Sequence, residues 1–121
     1  MAQHFDFGRE AEVKACQFLI EKNYKILDRN FYYQKAEIDI IAQHEQEIVI
    51  CEVKARSNTF FTEPELAVTK AKQKRLILAA DAYIQKNNYH LSVRFDILAL
   101  TKTNNIWSIK HIENAFNALE N

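Results

Sequence analysis

The chain of 121 residues has a single Gly, a single Pro and only two Cys, and its 16 basic residues are balanced by 16 acidic ones. So little Gly and Pro excludes collagen-like, linker-like and low-complexity chains, and no repeat of solenoid period is present. Cys16 and Cys51 lie among apolar neighbours outside any CxxC or Cys/His ligand spacing, which predicts buried free thiols rather than a disulfide or a zinc site. The N-terminal stretch "MAQHFDFGREAEVK" has no apolar run of signal-peptide length, and no later segment has the length of a membrane helix. The expectation is a soluble, cytoplasmic protein forming one domain over residues 1–121. A net charge of zero gives bulk electrostatics no part in nucleic-acid binding, so any such function must come from local charge.

What is present is 48% hydrophobic residues, including 8 Phe and 5 Tyr, enough to close a core at this length. Residues 6–22 have helical spacing through Ala11, Ala15, Phe18 and Leu19, with Asp6 as a candidate cap. "YKILDRNFYY" alternates as a strand, and "AEIDIIAQHEQEIVICEVK" reads as a β-hairpin around the polar "QHEQ". "FTEPELAVTKAKQKRLILAADAYIQKNN" predicts one long helix, opened by a Thr62/Glu65 capping box, Pro64 in the first turn and a Phe61/Leu66 staple. "LSVRFDILALTK" and "NNIWSIKHI" predict two further strands joined at "TKTNN", with a short closing helix at "ENAFNAL". The order α-β-β-β-α-β-β implies a mixed sheet flanked by helices.

Side chains alternate along a strand, so Glu52 and Lys54 share one face, as do Glu37 and Asp39 opposite Ile38 and Ile40. A hairpin centred between Glu45 and Gln46 sets Asp39 directly across from Glu52, with Cβ atoms roughly 5 Å apart. Two facing carboxylates repel unless something positive lies between them. A hard divalent cation is one answer, since Mg²⁺ takes oxygen ligands and is commonly held by one or two carboxylates with a substrate phosphate. Lys54, on the same face, is then placed to serve an attacking water or the transition-state charge of phosphodiester hydrolysis. Solvated or salt-bridged strand ends explain the same residues without chemistry.

Glu12 lies beside the apolar stripe of the first helix and is a candidate outer ligand, although the helix dipole alone also favours an acid there. Lys72 is similarly open between a site role and a snorkelling stem. Lys54 and Arg56 precede "TKAKQKR", which carries Lys70, Lys72, Lys74 and Arg75; this cluster is either a phosphate-backbone contact or a solvated helix face. Arg94 and Asp96 are expected to pair structurally, and His4, His44, His90 and His111 are too scattered to form a ligand cluster.

Together, "GREAEVKACQFL", "ILDRNF", "AEIDIIA", "VICEVKAR", "AVTKAKQKRLILAADAYI", "VRFDILAL" and "IKHIENAF" resemble the small bacterial YraN-type family of endonuclease-like proteins, over nearly the whole chain. That family falls in the PD-(D/E)xK, restriction-endonuclease-like superfamily and is similar to archaeal Holliday-junction resolvases. The resemblance implies an αβββαβ core in three layers, Mg²⁺ or Mn²⁺ as cofactor, and DNA as substrate in recombination or repair. A homodimer and a recombination or repair protein are the implied partners. By the same resemblance Asp39 and Glu52 are metal ligands, joined by the Val53 backbone carbonyl, and Lys54 is the catalytic lysine. Glu12 is the helix acid, and Glu37 and Lys72 are supporting; Arg56, Lys70, Lys74 and Arg75 are nucleic-acid candidates on local charge alone. Ala11 and Ala36 stand where that family usually has glycine before its acids. A non-catalytic nucleic-acid-binding or adaptor module on the same fold is the alternative.

Overall fold

A computed structural model describes residues 3–120. Helix α1 (Gln3–Glu21) is followed by β1 (Lys25–Tyr33), β2 (Ala36–His44) and β3 (Glu47–Ser57), then α2 (Glu63–Leu66), α3 (Lys70–Lys86), β4 (Ser92–Thr103) and β5 (Ile106–Phe116). The strands form one sheet in the order β1-β2-β3-β4-β5. Only β3 and β4 run parallel, because α2 and α3 carry the chain back across the sheet between them.

Two cores follow from two covered faces. Ala11, Ala15 and Leu19 of α1 pack with Ile40, Val49 and Leu98, while Leu76, Ala79 and Tyr83 of α3 pack with Ile41, Ile48 and Phe95. The result is the expected mixed α/β fold in three layers. Buried on both faces, the centre of β4 reads as a near-continuous apolar run. Each fully buried Leu or Ile contributes about 1.5–3 kcal/mol of transfer free energy.

Three expectations are corrected. Asp6 does not cap α1 but stands in its first turn, since the helix begins at Gln3. The long second helix is broken: α2 is one turn, Ala67 turns extended at ψ 143°, and Thr69 starts α3 by accepting the Lys72 N–H at 3.2 Å. The capping side chain at Thr69, after β-branched Val68, outcompetes continuous helix. The closing helix at "ENAFNAL" is absent; β5 runs on to Phe116, whose ring stacks on Phe95 at 4.8 Å, leaving only a 3₁₀ turn at Ala118–Glu120.

Nine described residues other than Gly have positive φ, and seven of them are Asn: 23, 30, 58, 88, 104, 105 and 114. Asparagine takes the place that the scarce glycine would otherwise fill, because its short side chain tolerates the left-handed region. Asn104 and Asn105, at φ 52° and 62°, make the two-residue turn between β4 and β5.

Candidate active site

The β2–β3 hairpin turns at Glu45 and Gln46, with Glu45 at φ 55° and His44 paired to Glu47. This is the register that sets Asp39 opposite Glu52. The backbone ladder ends one step earlier, at Ile40 and Cys51, and beyond it the Asp39 carboxylate itself accepts the Val53 N–H at 2.8 Å. Strict alternation slips at this point. Ile38 and Ile41 both pack under α3 whereas Ile40 packs under α1, so Ile38 and Ile40 do not share a face as the pattern predicted.

Asp39, Glu37, Glu52 and Val53 line a recess of about 380 Å³, closed on the α3 side by Lys72 and Arg75. Lys72 Nζ meets Glu52 Oε2 at 2.5 Å, and the Glu52 side chain is only 10% exposed. The cap at Thr69 puts Lys72 in the first turn of α3, which is how the helix delivers this ammonium. Burial drives the Asp39 carboxyl up to about 7; the Val53 N–H opposes the rise and the charges of Glu52, Glu12 and Glu37 add to it.

The remaining candidates distribute unevenly. Lys54 does not line the recess: its ammonium donates to the Glu65 carbonyl at 2.9 Å and ties β3 to α2. Glu12 lies in a neighbouring recess of about 730 Å³ between α1 and β1, which shares Glu37 with the first. The Asn30 amide joins the two, donating to Glu12 at 3.3 Å and to Glu37 at 3.0 Å, and Arg29 approaches Glu12 at 3.6 Å. Of the expected phosphate contacts, Arg75 reaches the recess and Lys74 is exposed. Arg56 instead forms a two-pronged pair with Glu65 at 2.7 and 3.1 Å above the Phe61 ring, and Lys70 donates to the Glu120 carbonyl at 3.2 Å.

Sequence reasoning missed Arg29, Asn30 and Tyr32. An Asn in mid-strand was the available signal, since it is poorly suited to a strand and here takes φ 53°. Arg94 and Asp96 do pair, at 2.9 Å through two nitrogens, but within a larger buried network that also holds His111, Tyr24 and Glu47.

Among the described residues no three His, Cys, Asp or Glu side chains group closely enough to hold an ion by themselves. Two carboxylates converging on an open recess suit a hard cation that completes its shell with backbone oxygen, water and substrate phosphate.

Comparison with known proteins is consistent along the chain. The family described as "Uncharacterised protein family UPF0102" matches residues 11–100. The chain belongs to it. UPF0102 is the YraN family, so the resemblance drawn from the motifs holds. A UPF0102 protein of Phocaeicola vulgatus is 46% identical over 116 residues, covering 96% of each chain. One from Parabacteroides distasonis is 44% identical over 118 residues, covering 98% of each. A UPF0102 protein of Thermodesulfovibrio yellowstonii is 44% identical over 111 residues, covering 92% of this chain and 96% of its own. For this UPF0102 member the matched span includes Glu12, Asp39, Glu52, Lys54 and Lys72, and among its described residues no helix is long and apolar enough to cross a membrane.

Proposed function

We propose that this UPF0102 protein is a metal-dependent endonuclease that hydrolyses DNA phosphodiester bonds, selective for DNA structure, in recombination or repair. The observation that carries the reading is the convergence of Asp39 and Glu52 in one recess, where burial and the charges of Glu52, Glu12 and Glu37 push the Asp39 carboxyl up to about 7. Two acids held together, Glu52 buried and Asp39 half-buried, are costly to the fold, and a bound divalent cation removes that cost. Asp39 and Glu52 hold Mg²⁺ or Mn²⁺ in this proposal, with the Val53 carbonyl as a backbone ligand. The cation, when bound, supplies charge neutralisation at the phosphoryl oxygen and lowers the pKa of a water.

The chain's own groups do the positioning. The Val53 N–H fixes the Asp39 carboxylate, and Lys72 orients Glu52. Lys54 leaves the Glu65 carbonyl to meet the substrate phosphate, exchanging a hydrogen bond worth about 1.5–3 kcal/mol for a full ion pair. A symmetric dimer suits a branched substrate that presents two equivalent strands.

Incubation with nicked, branched and single-stranded DNA, with Mg²⁺ or Mn²⁺ and with chelator, tests the reading. Cleavage that needs metal and is lost in Asp39→Asn is expected. A wild type that cuts none of these substrates, or an Asp39→Asn protein that cuts as well as wild type, overturns it. A non-catalytic nucleic-acid-binding module is the second reading, favoured by the engagement of Lys54 and Arg56 with Glu65. It predicts DNA binding that survives Asp39→Asn with no cleavage at all.

A further inference from the structure

The only glycine of the chain is in an unexpected place. Gly8 is the sixth residue of α1, where a helix loses about 0.5–1 kcal/mol relative to alanine. Its φ is not positive, and a Cβ built on it would have nothing within 4 Å. Among the described residues no turn, no close helix contact and no left-handed backbone requires it. Gly8 does line the 730 Å³ recess beside the acid pair. A bare helix surface facing an open recess admits the close approach of another molecule's backbone.

The rest of that lining has the chemistry of a nucleotide site. Tyr32 is 68% exposed although it stands on a strand, directly across from Glu37, whose carboxylate raises the pKa of its hydroxyl. Such a ring offers a flat platform to a base, and stacking of this kind is worth about 1–3 kcal/mol per base. Arg29, 40% exposed and only loosely paired with Glu12 at 3.6 Å, is a cation suited to phosphate. Glu12 and Glu37 present acceptors for the exocyclic amines of bases, and Asn30 holds both of them through a left-handed backbone in mid-strand. Because Glu37 borders both recesses, whatever occupies the larger one lies next to Asp39 and Glu52.

We propose that the recess between α1 and β1 binds an unpaired stretch of DNA adjoining the scissile phosphate, with Tyr32 stacked on a base, Arg29 on a phosphate and Gly8 admitting the strand. Stacking on an isolated ring needs a base free of its partner, so the preferred substrate has a single-stranded overhang or flap beside the duplex. The inference rests on the proposed nuclease reading for the neighbourhood of the scissile bond, but its test does not depend on cleavage.

Fluorescence anisotropy in EDTA, with a labelled blunt duplex and the same duplex carrying a single-stranded overhang, measures it on the full chain. Wild type is expected to bind the overhang substrate at least tenfold more tightly than the blunt one. Tyr32→Ala abolishes most of that difference and leaves blunt-duplex affinity unchanged, while Tyr32→Phe, which keeps the ring, restores the preference. Gly8→Ala raises Tm, as a helix substitution should, and yet weakens overhang binding several-fold. That opposition is the signature, since a residue with a purely structural role would move both in one direction or neither. Equal affinity of wild type for the two substrates, an undiminished preference in Tyr32→Ala, or undiminished overhang binding in Gly8→Ala overturns the proposal. If these variants behave as expected while no DNA is ever cut, the nuclease reading fails and this one stands; metal-dependent cutting with an indifferent Tyr32→Ala separates them the other way.

Discussion

At the scale of single residues, the decisive group is Asp39. An ordinary Asp titrates near 3.8, and here burial carries the carboxyl up to about 7. The folded protein therefore binds a proton that the unfolded chain releases between these values, so Asp39 stabilises the fold below pH 3.8 and that contribution is lost as pH rises through 7. Asp39→Asn keeps an acceptor for the Val53 N–H and carries no charge. In metal-free protein it should raise Tm at pH 8 by several degrees and have little effect at pH 4; calorimetry showing a lower Tm at pH 8 would contradict the assigned cost. Mn²⁺ or Mg²⁺ should raise the Tm of wild type at pH 8 and leave Asp39→Asn unmoved, since only a site that binds the native state gains by mass action. Lys72 is the counterpart on Glu52. Lys72→Met strands a carboxylate that is 10% exposed, but the lysine itself is 44% exposed and screened, so a loss of about 1 kcal/mol is expected in urea unfolding. Adding Glu52→Gln should recover most of it, and an additive double variant would show that the pair is not coupled.

At the scale of elements, the break between α2 and α3 is what aims the α3 side chains. Thr69 caps the helix and so fixes the turn from which Lys72 points at Glu52. Thr69→Ala should cost about 1 kcal/mol, a Tm decrease of about 4 °C, and, on the proposed nuclease reading, should lower DNA cleavage more than this small instability explains. An unchanged activity would mean that Lys72 finds Glu52 without the cap. The single turn α2 is too short to hold itself. It is secured from below by β3, through Lys54 on the Glu65 carbonyl and Arg56 on the Glu65 carboxylate, and the hydrogen bond from Arg56 holds that carboxyl down at about 2.

At the scale of the whole molecule, side chains from distant segments converge on Asp96, which is 1% exposed. Its carboxylate accepts from Arg94, from His111 at 2.7 Å and from the Asn114 N–H at 3.0 Å, and Arg94 continues to Tyr24 and Glu47. The first of these elements, β3, and the last, β5, are thereby tied to β4 and to the segment after α1. Burial by itself would raise the Asp96 carboxyl, but the bonds from His111, Arg94 and Asn114 outweigh it and hold it below 3.8. With a depressed folded value, its contribution is complete above pH 3.8 and is lost as pH falls below that, so acid unfolding should begin there. Asp96→Ala would leave the Arg94 guanidinium buried without its main partner, at a cost on the order of 3–5 kcal/mol. That is a large share of the about 5–15 kcal/mol available to a domain, and urea midpoints measured for both proteins at pH 7 and at about pH 3 would register both effects. A variant as stable as wild type would place the fold's polar centre elsewhere.

What the amino-acid sequence determined by itself is whatever depends on periodicity along one strand or helix. The apolar stripe of α1, the alternation of β3 and the turn at Glu45 and Gln46 were all legible, and they suffice to bring Asp39 opposite Glu52. The capping pair Thr62 and Glu65 was legible too, although the second cap at Thr69 was passed over because the helical pattern runs straight through it. Tertiary structure alone decided which cation meets the acids. Lys54 is two residues from Glu52 yet turns to α2, whereas Lys72, 20 residues away in sequence, closes on it. It also decided that Asn30 joins Glu12 to Glu37 across separations of 18 and 7 residues, and that Arg56 is consumed by Glu65. Local patterns specify which face a side chain leaves from; the partner it reaches depends on how two separately formed elements pack, and no periodicity within either one encodes that.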